Sequence, residues 1–139
     1  MSSVLYFKEQ TLDDSGMAVF RSASGATASL HTTLMEWKNQ FSFEVFGEDG
    51  YALIDGLGSS YGNERLTVGK RDFEAPFQDT VTHFRGGDIS WREEWKEFVA
   101  AIEEGCEPIG NAADGLAAMR IALTAYEAEK QGRVLPIPG

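Results

Sequence analysis

The fold of this protein is decided by residues 35–62, "MEWKNQFSFEVFGEDGYALIDGLGSSYG". Apolar and polar residues alternate in residues 39–47 and again in residues 51–55, which is the period of a β-strand. The four residues "GEDG" stand between the two runs, so the stretch predicts a β-hairpin. We expect Gly47 and Gly50 to supply positive φ angles in this turn.

A glycine-rich segment follows the hairpin and resembles a dinucleotide-binding loop. Such a loop needs a strand, a tight glycine turn and then a helix, because the helix N-terminus binds the pyrophosphate. Here Gly56, Gly58 and Gly62 have the spacing GxGxxxG, and the text that follows, "NERLTVGKR", has β-forming residues and no helical stripe. The sequence predicts a connection between two strands, or else a loop that borders a ligand or a partner, but no phosphate site.

Another hairpin is predicted before this stretch, with its turn at residues 22–25, where Ser and Gly supply turn chemistry. Its second strand has an apolar face and a mixed polar face, as in an antiparallel sheet that is covered on one side. The apolar face carries Ala26, Ala28, Leu30, Thr32 and Leu34. The polar face carries Thr27, Ser29, His31, Thr33 and Met35. Further strands are predicted at residues 4–10, 65–71 and 79–85, with a loop over residues 72–78.

The last third of the chain changes to the helical period of 3.6 residues. Ser90 and Glu93 have the spacing of a capping box at the start of a helix that Gly105 ends. Asn111 is the predicted N-cap of a second helix, and Gly132 its end. The predicted core stripes are Trp91, Trp95, Phe98, Val99 and Ile102 in the first helix and Leu116, Met119, Leu123 and Tyr126 in the second.

This order of elements, strands followed by helices, predicts the α+β class. We expect one domain over residues 1–139, with a largely antiparallel open sheet and two C-terminal helices packed on one of its faces. No repeat interrupts this pattern.

Composition excludes several classes of function. The formal net charge is −10, with 12 basic against 22 acidic residues, so a nucleic-acid partner is not expected. No apolar run is long enough to span a membrane and no signal peptide is present, so we expect a cytoplasmic protein. The two histidines, His31 and His83, have no third ligand at metal spacing, and the single Cys106 has acidic neighbours that disfavour a reactive thiolate.

The residues quoted so far resemble the C-terminal domain of the Gfo/Idh/MocA (glucose–fructose oxidoreductase) family. An acid before a strand, a glycine turn and a strand that ends near a tryptophan correspond to Asp14, Gly25 and Trp37. The text "FGEDGYALID" resembles the family's next hairpin. The tail "WREEWKEFVAAIEEGCEPIGNAADGLAAMRIALTAYEAEKQGRVLPIP" resembles the family's last two helices. The resemblance covers nearly the whole chain.

The resemblance implies an NAD(P)-dependent sugar or polyol oxidoreductase whose cofactor, NAD or NADP, is held by a Rossmann domain. These 139 residues contain neither that domain's GxGxxG loop nor a Glu-Lys-Pro motif, so we expect no cofactor site and no catalytic residue in this chain alone. The chain is then a fragment or the product of a split or truncated gene. A free-standing α+β binding or dimerisation module without catalytic activity is the alternative.

Five residues are the predicted substrate contacts. The resemblance implies that the strand ending at Trp37, Lys38 and Asn39 faces the nicotinamide and the substrate, where an indole stacks on sugars and polar groups hydrogen-bond them. Alternatively, Trp37 packs in the sheet beside a solvated Lys and Asn. His31 and Thr33 on the polar sheet face are either substrate contacts or part of a homo-oligomer interface. The predicted partners are a second copy through this open face, a separate Rossmann domain and a sugar-like small molecule.

Overall fold

The computed structural model describes residues 1–4, 12–58, 60–75 and 78–139. Its elements form two antiparallel sheets and two helices, which confirms the α+β class. The strands are β1 Ser2–Val4, β2 Ser15–Arg21, β3 Thr27–Thr33, β4 Ser42–Phe46, β5 Gly50–Asp55, β6 Arg65–Lys70 and β7 Asp79–His83. The helices are α1 Ser90–Glu104 and α2 Ala112–Gln131. The expected single sheet is split, into the three strands β1-β2-β3 and the four strands β4-β5-β6-β7.

The chain divides into two compact units, and the first combines its two ends, Met1–Trp37 and Glu104–Gly139. The hairpin of β2 and β3 closes at residues 22–26, where the Ser22 N–H donates to the Ala26 carbonyl at 2.8 Å and Gly25 has a φ of 92°. This turn confirms the predicted one. The predicted strand at residues 4–10 lies outside the described residues, apart from Val4 at the end of β1.

Hydrogen bonds join α2 to the sheet of the first unit. The Glu129 carboxylate accepts from the Ser3 N–H at 2.5 Å and from the Ser3 hydroxyl at 2.8 Å. The Tyr126 hydroxyl lies 3.0 Å from each carboxylate oxygen of Asp13. This hydrogen bond raises the pKa of the Tyr126 phenol, because Asp13 stabilises the protonated form.

The second unit, Lys38–Glu103, contains β4 to β7 and all of α1 except its last residue. Each strand pairs with the next along the chain, so the sheet is a meander. The predicted strands near residues 65–71 and 79–85 are confirmed as β6 and β7. The predicted hairpin is confirmed as β4 and β5, but neither Gly47 nor Gly50 has a positive φ angle. Gly50 is required for space instead, because a Cβ there would overlap the Gly69 carbonyl oxygen.

The caps of α2 follow the sequence pattern. The Asn111 side chain accepts from the N–H groups of Ala113 and Asp114, at 2.8 and 3.1 Å, and the Asp114 carboxylate accepts from the Asn111 N–H at 3.2 Å. Gly132 ends the helix in the left-handed region, with φ 61° and ψ 29°. Both predicted ends are therefore confirmed.

The start of α1 differs from the predicted capping box. The Glu93 carboxylate accepts from Lys96 at 2.9 Å and from Arg92 at 3.1 Å rather than from the first turn. The Asp88 carboxylate, just before the helix, accepts from the Ser90 N–H at 2.9 Å and so satisfies a donor of the first turn. The backbone and hydroxyl hydrogen bonds of Ser90 lower the pKa of Asp88.

The apolar stripes of both helices are largely exposed, which contradicts their prediction as core. Trp91 is 79% exposed and Trp95 66%, and Leu116, Met119 and Leu123 are each more than half exposed. Among the described residues the buried apolar side chains are Ala18, Ala101 and Ala125. A helical period identifies which face of a helix is apolar, but it does not specify what covers that face. Among the helices of the described residues, none is both long and apolar enough to cross a membrane.

Candidate functional site

The two candidate residues on β3 lie on one face of the three-stranded sheet. His31 is directly opposite Met17 on β2, and Thr33 is opposite Ser15. Residues that are directly opposite share a face, and positions two apart along a strand do too. His31 therefore lies beside the exposed side chains of Met17 and Val19, 61% and 79% exposed. The predicted strand is confirmed as β3, but its apolar face is not covered as expected, since Leu30 on that face is 55% exposed.

The three residues Trp37, Lys38 and Asn39 lie on the connection between β3 and β4, not at a strand end. β3 ends at Thr33, and the Thr33 hydroxyl accepts from the Met35 N–H at 3.0 Å, which turns the chain away from the sheet. Trp37 is the last residue of the first unit, and Lys38 and Asn39 are the first residues of the second. The prediction that they end a strand is therefore wrong by four residues, because a local turn ends β3 early.

All three of these side chains are exposed. Trp37 is 94% exposed, so the alternative in which its indole packs in the sheet does not hold. Lys38 and Asn39 are exposed as well, and within the described part of the chain neither makes a hydrogen bond or ion pair. An indole, a cation and an amide that both donates and accepts are groups that can bind a polyhydroxylated ligand.

The glycine-rich loop connects β5 to β6, two antiparallel neighbours, which confirms its interpretation as a strand–strand connection. Gly56 is in the left-handed region with φ 80°, and a Cβ there would lie 2.6 Å from the Asn63 carbonyl oxygen. The Gly58 N–H donates to the Glu64 carboxylate at 2.6 Å. The Gly58 N–H, which a bound phosphate would need as a donor, is therefore already hydrogen-bonded to Glu64, and the negative charge of Glu64 repels an anion.

One row of the four-stranded sheet forms a cluster that the sequence did not indicate. Phe46, Tyr51, Gly69 and Asp79 are directly opposite one another along the four strands. The Tyr51 ring lies over Gly69, and its hydroxyl donates to the Asp79 carboxylate. The hydrogen bond to Asp79 raises the pKa of the Tyr51 phenol. An aromatic residue opposite a strand glycine is the signal that would have indicated this cluster, but it requires the strand register.

A second polar row runs through Ser42, Asp55, Arg65 and His83. The Arg65 guanidinium lies 2.8 Å from the Asp55 carboxylate, and its hydrogen bond lowers the pKa of Asp55. The pair is partly exposed, so solvent screens it. The described residues contain no group of three or more His, Cys, Asp or Glu side chains arranged to hold a metal ion.

The fold defines a class of protein. It is an α+β domain in which the glycine-rich loop joins β5 to β6 and the candidate residues Trp37, Lys38 and Asn39 lie on the connection between β3 and β4. The sequence pattern of "Oxidoreductase family, C-terminal alpha/beta domain", the Gfo/Idh/MocA family, matches residues 2–138. The chain belongs to this family. No significant match to a curated protein or to a solved structure is found.

Proposed function

We propose that these residues form the substrate-side and oligomerisation domain of an NAD(P)-dependent sugar or polyol oxidoreductase of the cytoplasm. The observation that carries the proposal is the family match over residues 2–138. In such an enzyme a separate cofactor domain holds the nicotinamide, and this domain binds and orients the substrate whose hydride is transferred. The exposed Trp37, Lys38 and Asn39 are the residues to which we assign the substrate contact.

The geometry of the glycine loop supports the proposal that the cofactor is bound by a separate domain and not by this one. Its Gly58 N–H is bound by the Glu64 carboxylate, and β6, not a helix, follows it. We therefore expect the 139-residue chain to give no binding heat with NAD(H) or NADP(H) in titration calorimetry. A micromolar dissociation constant for any of the four would contradict the assignment of this chain to the substrate side.

The activity itself is tested by adding a Rossmann domain of the same family, encoded with this chain or taken from a relative. Oxidation of a panel of sugars and polyols is followed by nicotinamide absorbance. We expect turnover only when both domains are present. Turnover by the Rossmann domain alone at the same rate, or turnover restricted to substrates without hydroxyl groups, would refute the proposal.

Oligomerisation through the open face of the three-stranded sheet is part of the proposal. The exposed Met17 and Val19 share this face with His31, so it offers apolar area beside polar side chains. Val19→Lys should weaken self-association in light scattering. Val134→Lys, at a 94% exposed position of the tail, is the control and should not. If the unsubstituted chain is a monomer at all accessible concentrations, the proposed oligomerisation through this face is wrong.

A free-standing binding module is the second candidate, and the exposed sheet face with Met17 and Val19 is the observation that favours it. It predicts self-association without any turnover in the two-domain assay. The same pair of measurements therefore separates the two candidates.

A further inference from the structure

The outer edge of β7 has backbone groups that the described structure leaves without a strand partner. β7 is the last strand of its sheet, and all five of its residues are exposed. The Phe84 N–H, one residue beyond the strand, donates to the Glu64 carbonyl at 3.0 Å, so Phe84 faces β6. Because backbone groups alternate along an antiparallel strand, Thr80 and Thr82 also face β6. Asp79, Val81 and His83 then direct their N–H and C=O groups outward.

This edge lacks three of the features that protect edge strands from pairing. Proteins commonly place lysine, proline or a bulge at such positions. The strand "DTVTH" contains neither residue, and its register with β6 is unbroken over all five positions. It is short, which limits the strength of any pairing but not its geometry.

The sequence of β7 is complementary to itself in the antiparallel direction. If two copies pair with Val81 opposite Val81, then Thr80 lies opposite Thr82, and Asp79 lies opposite His83. Valine and threonine pairs favour cross-strand contact, and the His83 imidazole can donate a hydrogen bond to the Asp79 carboxylate of the second copy. In this register the residues whose backbone groups point outward lie opposite one another. Each of the three pairs Asp79–His83, Val81–Val81 and His83–Asp79 can therefore exchange two backbone hydrogen bonds.

The edges of β4 and β3 lack this complementarity. In β4 the Phe41 carbonyl accepts from the Gly56 N–H and the Gly47 N–H donates to Gly50, so Ser42, Glu44 and Phe46 face outward. Pairing two copies of β4 about its centre places Glu44 opposite Glu44, and like charges in that position destabilise the pair. The edge strand β3, "TASLHTT", has no acidic residue to pair with His31.

We propose that a second copy of this chain adds its β7 antiparallel to β7, centred on Val81, and joins two four-stranded sheets into one sheet of twice that width. The arrangement is isologous, so it closes as a dimer and does not propagate. It uses the edge of the second unit. It is therefore independent of the sheet-face interface proposed for the first unit, and failure of one leaves the other intact.

Hydrogen exchange of individual amides tests the register directly. The isotopically labelled 139-residue chain is compared by NMR at low and high concentration. We expect the amides of Asp79, Val81 and His83 to gain at least tenfold protection at high concentration, while Thr80 and Thr82 are protected at both. Equal exchange of the three outward amides at both concentrations overturns the proposal, even if the chain self-associates.

Substitutions supply the second test, by sedimentation equilibrium. Val81→Lys places two ammonium groups at the dyad, and His83→Asp places carboxylates opposite each other. Each should raise the dimer dissociation constant at least tenfold, while Val81→Ile should leave it within twofold. Glu44→Lys, at an outward position of the opposite edge, is the matched control and should also stay within twofold. Circular dichroism checks that each variant is folded.

The pattern among variants distinguishes the two interfaces. If Val19→Lys abolishes self-association while Val81→Lys and His83→Asp leave it unchanged, the β7 proposal is wrong. If the β7 variants alone weaken it, the proposal stands.

Discussion

Replacing Gly69 by alanine would introduce a methyl group into space that the Tyr51 ring occupies. An added Cβ would lie 2.5 Å from both Cε1 and the hydroxyl oxygen of Tyr51, so the ring has to move and its hydrogen bond to Asp79 breaks. Overpacking costs about 1–3 kcal/mol in a packed interior, but here the obstructing atoms are the far end of a partly exposed side chain, so we expect a cost of about 1 kcal/mol. Alanine regains about 0.5–1 kcal/mol over glycine in a strand. We expect a net loss of up to about 1 kcal/mol, which lowers Tm by up to about 4 °C.

The assay is urea unfolding followed by circular dichroism, with two comparisons. Gly115→Ala is the matched control, because nothing lies within 4 Å of its added Cβ and its φ is not positive. That substitution should stabilise α2 by up to about 1 kcal/mol. In a Tyr51→Ala background the obstacle is gone, so Gly69→Ala should become neutral or stabilising there. A stabilising Gly69→Ala in the background with Tyr51 intact would refute the steric argument.

Three further predictions follow from the caps, the connection and the ion pair. Asn111→Ala removes the N-cap of α2 and should cost about 0.5–2 kcal/mol in the same unfolding assay; an unchanged midpoint would contradict the capping geometry. Lys38→Ala and Asn39→Ala should leave stability within about 0.5 kcal/mol, because both side chains are exposed. In the two-domain enzyme each should lower kcat/KM at least tenfold, about 1.4 kcal/mol; lost stability with full activity would refute their substrate role. The lowered pKa of Asp55 means that its pairing with Arg65 stabilises the protein above about pH 4 and that this contribution is lost as the pH falls through the folded-state pKa. Arg65→Ala should therefore reduce stability by at most about 1 kcal/mol at pH 7 and by less at pH 3, and an equal loss at both pH values would exclude the ion pair as the cause.

Features with a local cause could be predicted from the sequence. Asn111 caps α2 because its side chain reaches backbone groups two and three residues away, and Gly132 ends the helix because glycine adopts a left-handed conformation at little cost. The turn at Gly25 has the same kind of cause. The partners in such interactions are only a few residues apart in the sequence, so a short stretch of sequence contains both of them.

Features that depend on register or on facing surfaces could not be predicted. The Tyr51–Gly69–Asp79 cluster exists because three strands align in one register, and none of the three residues indicates that by itself. Gly50 was expected to serve a turn, but it is needed because the backbone of the neighbouring strand comes close. Trp91 and Trp95 were expected in the core because they follow a helical stripe, but a stripe does not specify what covers it. The proposed substrate residues Trp37, Lys38 and Asn39 were placed by resemblance, and the strand alternation does not indicate that they lie on a connection.

The division of the chain also has a consequence for the order of folding. In the second unit every sheet contact joins neighbouring strands, so that unit is complete once the ribosome has released Glu103. The first unit has to wait, because its β1 residue Ser3 binds Glu129, 126 positions later. β1 is synthesised before the rest of this unit, but its contact with Glu129 forms only after α2 has been synthesised. A nascent chain that stops before α2 therefore has one finished unit and a three-stranded sheet without its helix, and such a sheet is exposed to misfolding until α2 packs on it.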